Sequence, residues 1–368
     1  MSLLTVQRWL ARARGRRLDR VDWSDHRHCA HAAPARTSEA VEELILDVRH
    51  ELHETSVLGE YGAAVIAETL QARGMAPPSV RTIGRILVRR GVTVRRGRLR
   101  RPAPPPGWHL PLVAAGRAEL DVVDCIEALK LEDGPCVDVL TAMSVCGGLP
   151  GAWPLAQART TAILPCLAQH WQTVGCPAYA QFDNDTRFQG PHQHRDAVGR
   201  VIRACVQRGI IPVFTPPREL GLQNTIEQFN ALFQQKVWRR VHFRSLTAFQ
   251  SYTRTYITAL RHRRAIRIAH APLRPPWSVA ATPATHLIYI RRTSDRGTIQ
   301  MLGRTWRVDR HWTHRLVRAE IHLTRHTLTC VGLRRSAPAD QPVLAEHPYA
   351  LHWNPATRDD PDTHGRRK

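Results

Sequence analysis

The stretch RRPAPPPGWHLP at residues 100–111 carries five prolines in twelve residues. Each proline fixes φ and removes a backbone donor, so neither a helix interior nor a central strand crosses such a run. It reads as a stiff spacer, and the chain has to fold as separate parts on either side of it. A hydrophobic fraction of 43% over 368 residues is enough for several buried cores and excludes a disordered basic tail. No run of 18 apolar residues occurs and the first residues lack a signal peptide's apolar stretch, so a soluble intracellular protein is expected. The eight cysteines never form a C-x-x-C pair, which argues against a zinc ribbon or a disulfide framework.

Upstream of the spacer the apolar period is helical. Residues 38–53 align Val41, Leu44, Ile45, Val48 and Leu52 behind Ser38 as N-cap, with acids in the first turn. A second helix over about 60–73 presents Val65, Ile66, Thr69 and Leu70. The breaker GMAPP at 74–78 leads to Ser79 as N-cap of a third helix, VRTIGRILVRR, closed by Gly91. Three short helices, the last two joined by a tight turn, predict an all-α helix-turn-helix domain over 36–99. Its core is assigned Val80, Ile83 and Leu87. Arg81, Arg85 and Arg89, at i, i+4 and i+8, form a separate stripe suited to a DNA major groove. Residues 1–35 read as the remnant of an earlier helix-turn-helix plus a linker. TVQRWLARARGRR (5–17) is an arginine-rich helix there, and His26, His28, Cys29 and His31 are too crowded for one tetrahedral zinc.

Charge follows the same division. The formal net charge is +22, distributed as +8 over residues 1–110, zero over 111–240 and +14 over 241–368. A neutral centre between basic flanks fits a chain whose ends grip a polyanion. Double-stranded DNA is the expected partner.

Beyond a linker at 100–112 the pattern changes to strands. ELDVVDCI (119–126) and PCVDVLTAM (135–143) flank the turn EDG at 132–134, and GGLPGAWPLA (147–156) is a poorer strand. Residues 160–175 read as a helix despite Pro165, 177–183 as a strand, 195–209 as a helix, 210–216 as a strand and 224–238 as a helix. With a trailing helix over 244–264, this predicts an α/β core with a mixed sheet over 113–268. Residues 285–335 alternate apolar and polar between turns, predicting a separate small all-β barrel over 285–350. Trp306 and Trp312 are assigned to its core. Arg291, Arg292, Arg304, Arg307, Arg310, Arg315 and Arg318 are its candidates for phosphate contact. A polar, disordered tail occupies 351–368.

Three carboxylates stand at chemically suggestive points of the core. Asp121 lies within the first strand, Asp183 at the C-terminal tip of another, and Glu227 in the first turns of a helix. Two-metal phosphoryl transfer needs oxygen donors from separate elements, and carboxylates suit a hard cation such as Mg²⁺. Asp124 and Asp185 compete for the first two positions.

The words around these acids are more specific. ELDVVD, QFDNDTRFQG and TPPRELGLQNTIEQFN resemble, in order and context, the three signatures of the DDE transposase and integrase superfamily, specifically bacterial insertion-sequence transposases with a retroviral-integrase-like catalytic core. Asp183-Asn184-Asp185 followed by Phe188 stands where the family has Asp-Asn-Gly and an aromatic. Gln223 and Asn224 replace the small Asn-Gly pair before Glu227. Between Asp183 and Glu227 lie 43 residues, more than is usual in the family, and GPHQHRDAVGR (190–200) reads as the extra loop. The resemblance implies a multidomain protein with an RNase H-like core and a C-terminal barrel like that of Mu-type transposases. It implies that Asp121, Asp183 and Glu227 bind two Mg²⁺ or Mn²⁺ ions per site, and that the activity is cleavage of transposon ends and strand transfer into target DNA. It further implies a homo-oligomer on DNA and a cytoplasmic, nucleoid-bound protein. The alternative is a catalytically inactive descendant that binds DNA as a regulator.

Overall fold

The computed structural model describes residues 3–23, 37–93, 105–132, 134–190, 195–216, 219, 221–278 and 281–351. The His26–His31 cluster, residues 100–104 of the spacer and the tail from 352 lie outside the described residues. The chain divides into two compact units, one of Met1–Leu52 with Tyr61–Val94 and one of His53–Glu60 with Arg95–Lys368.

In the first unit, helix α1 (Leu3–Ala13) is followed by α2 (Glu39–Thr55), α3 (Ala63–Ala72) and α4 (Val80–Arg89). Ser79 caps α4 by accepting from the Thr82 amide at 3.2 Å. Gly91 then takes φ +73°, the left-handed turn that closes the helix. The core is Ile45 and Val48 from α2, Ile66 and Leu70 from α3, and Ile83, Ile86 and Leu87 from α4. Val80 is not part of it: as the first helical residue it projects past the core and is 49% exposed, and Ile86 fills the space instead. A buried carboxylate ties the helices together as well. Glu42, 1% exposed, accepts from Arg89 and, at 2.8 Å, from Arg90 Nε.

The second unit starts with a single helical turn, α5 (Pro111–Ala114), and the antiparallel strands β1 (Leu120–Lys130), β2 (Cys136–Ser144) and β3 (Pro150–Leu155). Helix α6 (Thr160–Val174), strand β4 (Tyr179–Phe182), the short turn α7 (Thr186–Gln189), helix α8 (Arg200–Gln207) and strand β5 (Ile211–Phe214) follow, with β4 parallel to β1 and β5 parallel to β4. Helices α9 (Asn224–Phe233), α10 (Leu246–Arg263) and α11 (Ala265–Ala269) follow, with a π-helical turn at Gln234–Trp238 between the first two. Helices cover both faces. Val123, Leu140, Ala180, Phe182 and Phe214 pack with Ile163, Leu167 and Trp171 of α6 and Val201 and Cys205 of α8. Val122, Val139 and Val213 pack with Ile226, Phe229 and Phe233 of α9 and Phe249 and Tyr256 of α10.

The C-terminal strands depart from expectation. β6 (His286–Arg292), β7 (Thr298–Met301), β8 (Arg304–Arg307), β9 (Leu316–His322), β10 (Thr327–Leu333) and β11 (Val343–Pro348) do not stand apart as a barrel. β6 pairs parallel with β5, Val213 opposite Ile288 and Phe214 opposite Tyr289, giving one nine-stranded sheet in the order β11-β10-β9-β6-β5-β4-β1-β2-β3. Only β7 and β8 form a hairpin of their own, turning at Leu302 and Gly303 with φ +51° and +69°. The physical reason is that β5 would otherwise be an open apolar edge, and the Leu287–Ile290 run of β6 is buried on both faces like a central parallel strand. Trp312 does enter the core, while Trp306 packs against it half-buried. Truncation after residue 278 is therefore expected to deprive the second unit of a cooperative urea transition, followed by tryptophan fluorescence. A sharp transition retained by that truncation would show these strands to be an addition to the sheet and not part of it.

Candidate active site

The parallel pairing of β1 with β4 sets the geometry. Leu120 stands opposite Tyr179, Asp121 opposite Ala180 and Val122 opposite Gln181. Continued for two more residues, that register sets Asp124 level with Asp183, the residue just past the end of β4. Successive side chains of a strand point to opposite faces, so Asp121 and Asp124, three apart, cannot share one. Asp124 has the parity of Val122 and Ile126, which face α9, and α9 carries Glu227 in its first turn.

Asp124 is held in place from two sides. Its Oδ1 accepts from the Cys125 amide at 2.8 Å and its Oδ2 from Asn230 Nδ2 at 2.9 Å. Asn230, one turn after Glu227, has its own Oδ1 fixed by the Thr141 hydroxyl of β2 at 2.8 Å. Burial, aided by the negative charges of Asp183 and Glu227, pushes the Asp124 carboxyl up to about 6. Burial also raises the Asp183 carboxyl, against the Asp185 amide that donates to it at 3.0 Å. Asp185 is occupied elsewhere: it caps α7 through the Arg187 amide at 2.8 Å and pairs with the Arg187 guanidinium at 2.5 Å, which also reaches Glu127. Glu227 is exposed. The extra loop does not separate these acids. It leaves and rejoins at one point, where a Cβ on Gly190 would lie 2.7 Å from the Gly199 Cα and the Gly199 amide donates to Gln189 O at 3.0 Å.

Asp121 has a different occupation. Only 1% exposed, it receives both Nη atoms of Arg274 at 2.9 and 2.7 Å and Trp171 Nε1 at 3.1 Å, on the α6 face of the sheet. Burial alone would raise its carboxyl, but the Arg274 charge and hydrogen bonds hold it below the usual range. The first carboxylate beside Asp183 and Glu227 is thus Asp124, and Asp121 is the anchor of a buried ion pair. The pleat parity of ELDVVD separates the two; the register that selects between them is a property of the folded sheet.

The arginine candidates also sort. Arg81 and Arg85 are exposed on α4 and have no hydrogen-bond or ion-pair partner among the described residues. Arg89 is drawn inward to Glu42 and is no free phosphate ligand. Arg307 is exposed on β8, whereas Arg304 is paired to Asp196 at 2.6 Å and lies over the Tyr349 ring. Arg292 pairs with Glu219 at 2.6 Å, and buried Arg318 serves Glu320 and the His109 carbonyl.

Carboxylate oxygens such as those of Asp124, Asp183 and Glu227 are the donors a hard divalent cation takes, so their chemistry fits such an ion. Among the described residues, however, no three His, Cys, Asp or Glu side chains stand close enough together to hold one. No helix among the described residues is long and apolar enough to cross a membrane.

No family model and no curated protein sequence matches the chain. Solved structures that it resembles are retroviral integrase cores and intasomes. The BIV integrase catalytic core domain is 15% identical with a TM-score of 0.29, covering 39% of this chain and 82% of that one. A simian T-cell lymphotropic virus intasome in complex with a PP2A regulatory subunit is 13% identical with a TM-score of 0.35, covering 82% of this chain and 97% of that one. The HTLV-2 integrase catalytic core domain in complex with magnesium is 10% identical with a TM-score of 0.29, covering 39% and 84%.

The two aspartates predict opposite stability effects. Asp121, with its pKa lowered in the fold, stabilises above about pH 4, and that contribution fades as pH falls through the folded value. Removing its charge in Asp121→Asn strands Arg274 and is expected to cost about 3–5 kcal/mol at pH 7 in urea melts. Asp124, with its pKa raised, destabilises progressively as pH rises from about 4 through about 6. Asp124→Asn should therefore raise the unfolding free energy at pH 8 by on the order of 1–2 kcal/mol after solvent screening, and by less at pH 5, in urea melts.

Proposed function

We propose that the chain is a DNA recombinase that cuts and joins strands at the carboxylate cluster of Asp124, Asp183 and Glu227. The observation that carries the reading is the juxtaposition itself. Two aspartates lie level on adjacent parallel strands, a glutamate comes from the first turn of the next helix, and Asp124 is raised by burial and by the other two charges. Two aspartates raised by burial, from separate strands, are a mark of a functional site. The three carboxylates would hold Mg²⁺ or Mn²⁺, two ions per site. When bound, the metal supplies Lewis-acid activation of the attacking oxygen and neutralises charge building on the phosphate. Asn230 orients Asp124 through the bond to Oδ2, and Thr141 orients Asn230 in turn. Arg187, tied to Asp185 and Glu127, keeps those neighbouring acids from competing for the cluster.

In this reading α3 and α4 are a helix-turn-helix that presents Arg81 and Arg85 to duplex DNA, with transposon ends and target DNA as the partners and a homo-oligomer as the working form. A second reading, a regulator that binds DNA without cutting it, is favoured by the absence of an assembled three-ligand group among the described residues.

With Mg²⁺ or Mn²⁺ and duplexes carrying the ends of the encoding element, the wild type is expected to nick and to join strands. Asp124→Asn and Asp183→Asn should each lower that activity by at least about a hundredfold, since losing even an outer-shell partner costs about 10–100-fold. Retained DNA binding with equal inertness of wild type and Asp183→Asn would sink the enzyme reading and leave the regulator. For the binding surface, Arg81→Ala and Arg85→Ala should each reduce the slope of log affinity against log salt by about 0.9. Arg89→Ala should act through stability, leaving Glu42 buried without one of its partners.

A further inference from the structure

A cleft of about 920 Å³ opens at the loop that follows Asp183, walled by Asn184, Gly190, Arg291, Gln300 and Thr305. Its described lining contains no aspartate or glutamate. Two of its arginines are already neutralised, Arg292 by Glu219 and Arg304 by Asp196. The third is not. Arg291, only 9% exposed, donates through Nε to the Gln300 carbonyl at 3.2 Å, through Nη1 to the Ile290 carbonyl at 2.8 Å and through Nη2 to Asn184 Oδ1 at 3.0 Å. All these acceptors are neutral, and no carboxylate among the described residues faces the guanidinium. Burial lowers its pKa to about 10, which leaves it charged at neutral pH. A buried charge without a counter-charge is costly, and a fold that keeps one beside a cleft is built for an anion that arrives later.

A second side chain specifies the anion further. Gln189, 5% exposed and also lining the cleft, leaves its buried Oε1 without a partner among the described residues. A bare phosphate would satisfy Arg291 and leave that acceptor unmet. A nucleotide brings both a phosphate and the N–H donors of a base edge. The volume lies in the range of small-ligand sites, about 300–1,000 Å³, which suits a short single-stranded stretch and not a duplex.

We propose that this cleft is a subsite for one DNA strand, with a phosphodiester against Arg291 beside Asn184, so that the strand enters the carboxylate cluster at Asp183. The proposal rests on the nucleic-acid reading above and deepens it by naming where the strand lies. Arg291 is a binding residue here, reaching from β6 to Asn184 in the loop after β4.

Fluorescence anisotropy of a labelled single-stranded oligodeoxynucleotide with the full chain tests it, with metal omitted. Arg291→Gln is expected to weaken binding about ten- to a hundredfold, as loss of a charge-assisted hydrogen bond does, and to lower the salt slope by about 0.7. Arg291→Lys keeps the charge without the planar fork and should recover most of the affinity. Thr305→Glu, an exposed change in the cleft lining at a residue that makes no bond to Arg291, should weaken binding by repulsion. Wild-type affinity in a folded Arg291→Gln or in Thr305→Glu overturns the proposal, and where Arg291→Gln does not fold, Thr305→Glu decides alone. Because binding is read without metal, a wild type that cuts no DNA would remove the recombinase reading and leave the strand subsite to be judged by these variants.

Discussion

Everything at the candidate site follows from how β1 lies against β4. Parallel strands joined by a crossover bring residues far apart in the chain to the same level, and here the register pairs Val122 with Gln181 and so carries Asp124 to Asp183. The pleat then decides what each face of β1 meets. Val122, Asp124 and Ile126 look toward α9, while Asp121 and Val123 look toward α6. A slip of one residue would turn each aspartate to the opposite face, leaving Asp121 on the α9 side without Arg274 and Asp124 on the α6 side without Asn230. The fold avoids this by filling both faces with tightly packed apolar residues.

The two aspartates illustrate how similar burial gives opposite chemistry. Both lose solvent, which by itself favours the neutral acid. Asp121 gains a bidentate guanidinium and an indole N–H, and stays ionised as a structural link that fastens residue 274 onto the sheet. Asp124 gains only amide donors and two like-charged neighbours, and is raised. Asp124 is thus raised among like charges, while Arg291 in the cleft keeps its positive charge among neutral acceptors.

Much of this was legible in advance. Ser79 as a cap, Gly91 as a stop, and the alternation of helix and strand over 160–238 are local features, and the structure has elements at those places because capping and periodicity are short-range. Asp183 and Glu227 could be singled out because they sit at ends of elements. Asp121 fits the usual strand register of the motif that ELDVVD resembles, but nothing in ELDVVD says which face of the strand meets α9. Arg89 and Arg304 looked like members of basic stripes; their partners, Glu42 and Asp196, are 47 and 108 residues distant in sequence. The segment from 285 reads as a compact all-β module because strand periodicity carries no record of which neighbour a strand chooses.

By itself, then, the sequence determined a helical basic unit, a proline-rich break, a neutral α/β segment and a basic run of strands. These depend on residue chemistry over a few turns or a few pleats. Only the tertiary structure decided that β6 joins β5, that Asp124 and not Asp121 stands beside Asp183, and that Arg291 is left charged and unpaired in a cleft. Those outcomes depend on register and on which distant groups meet, and a buried charge acquires its role from what surrounds it.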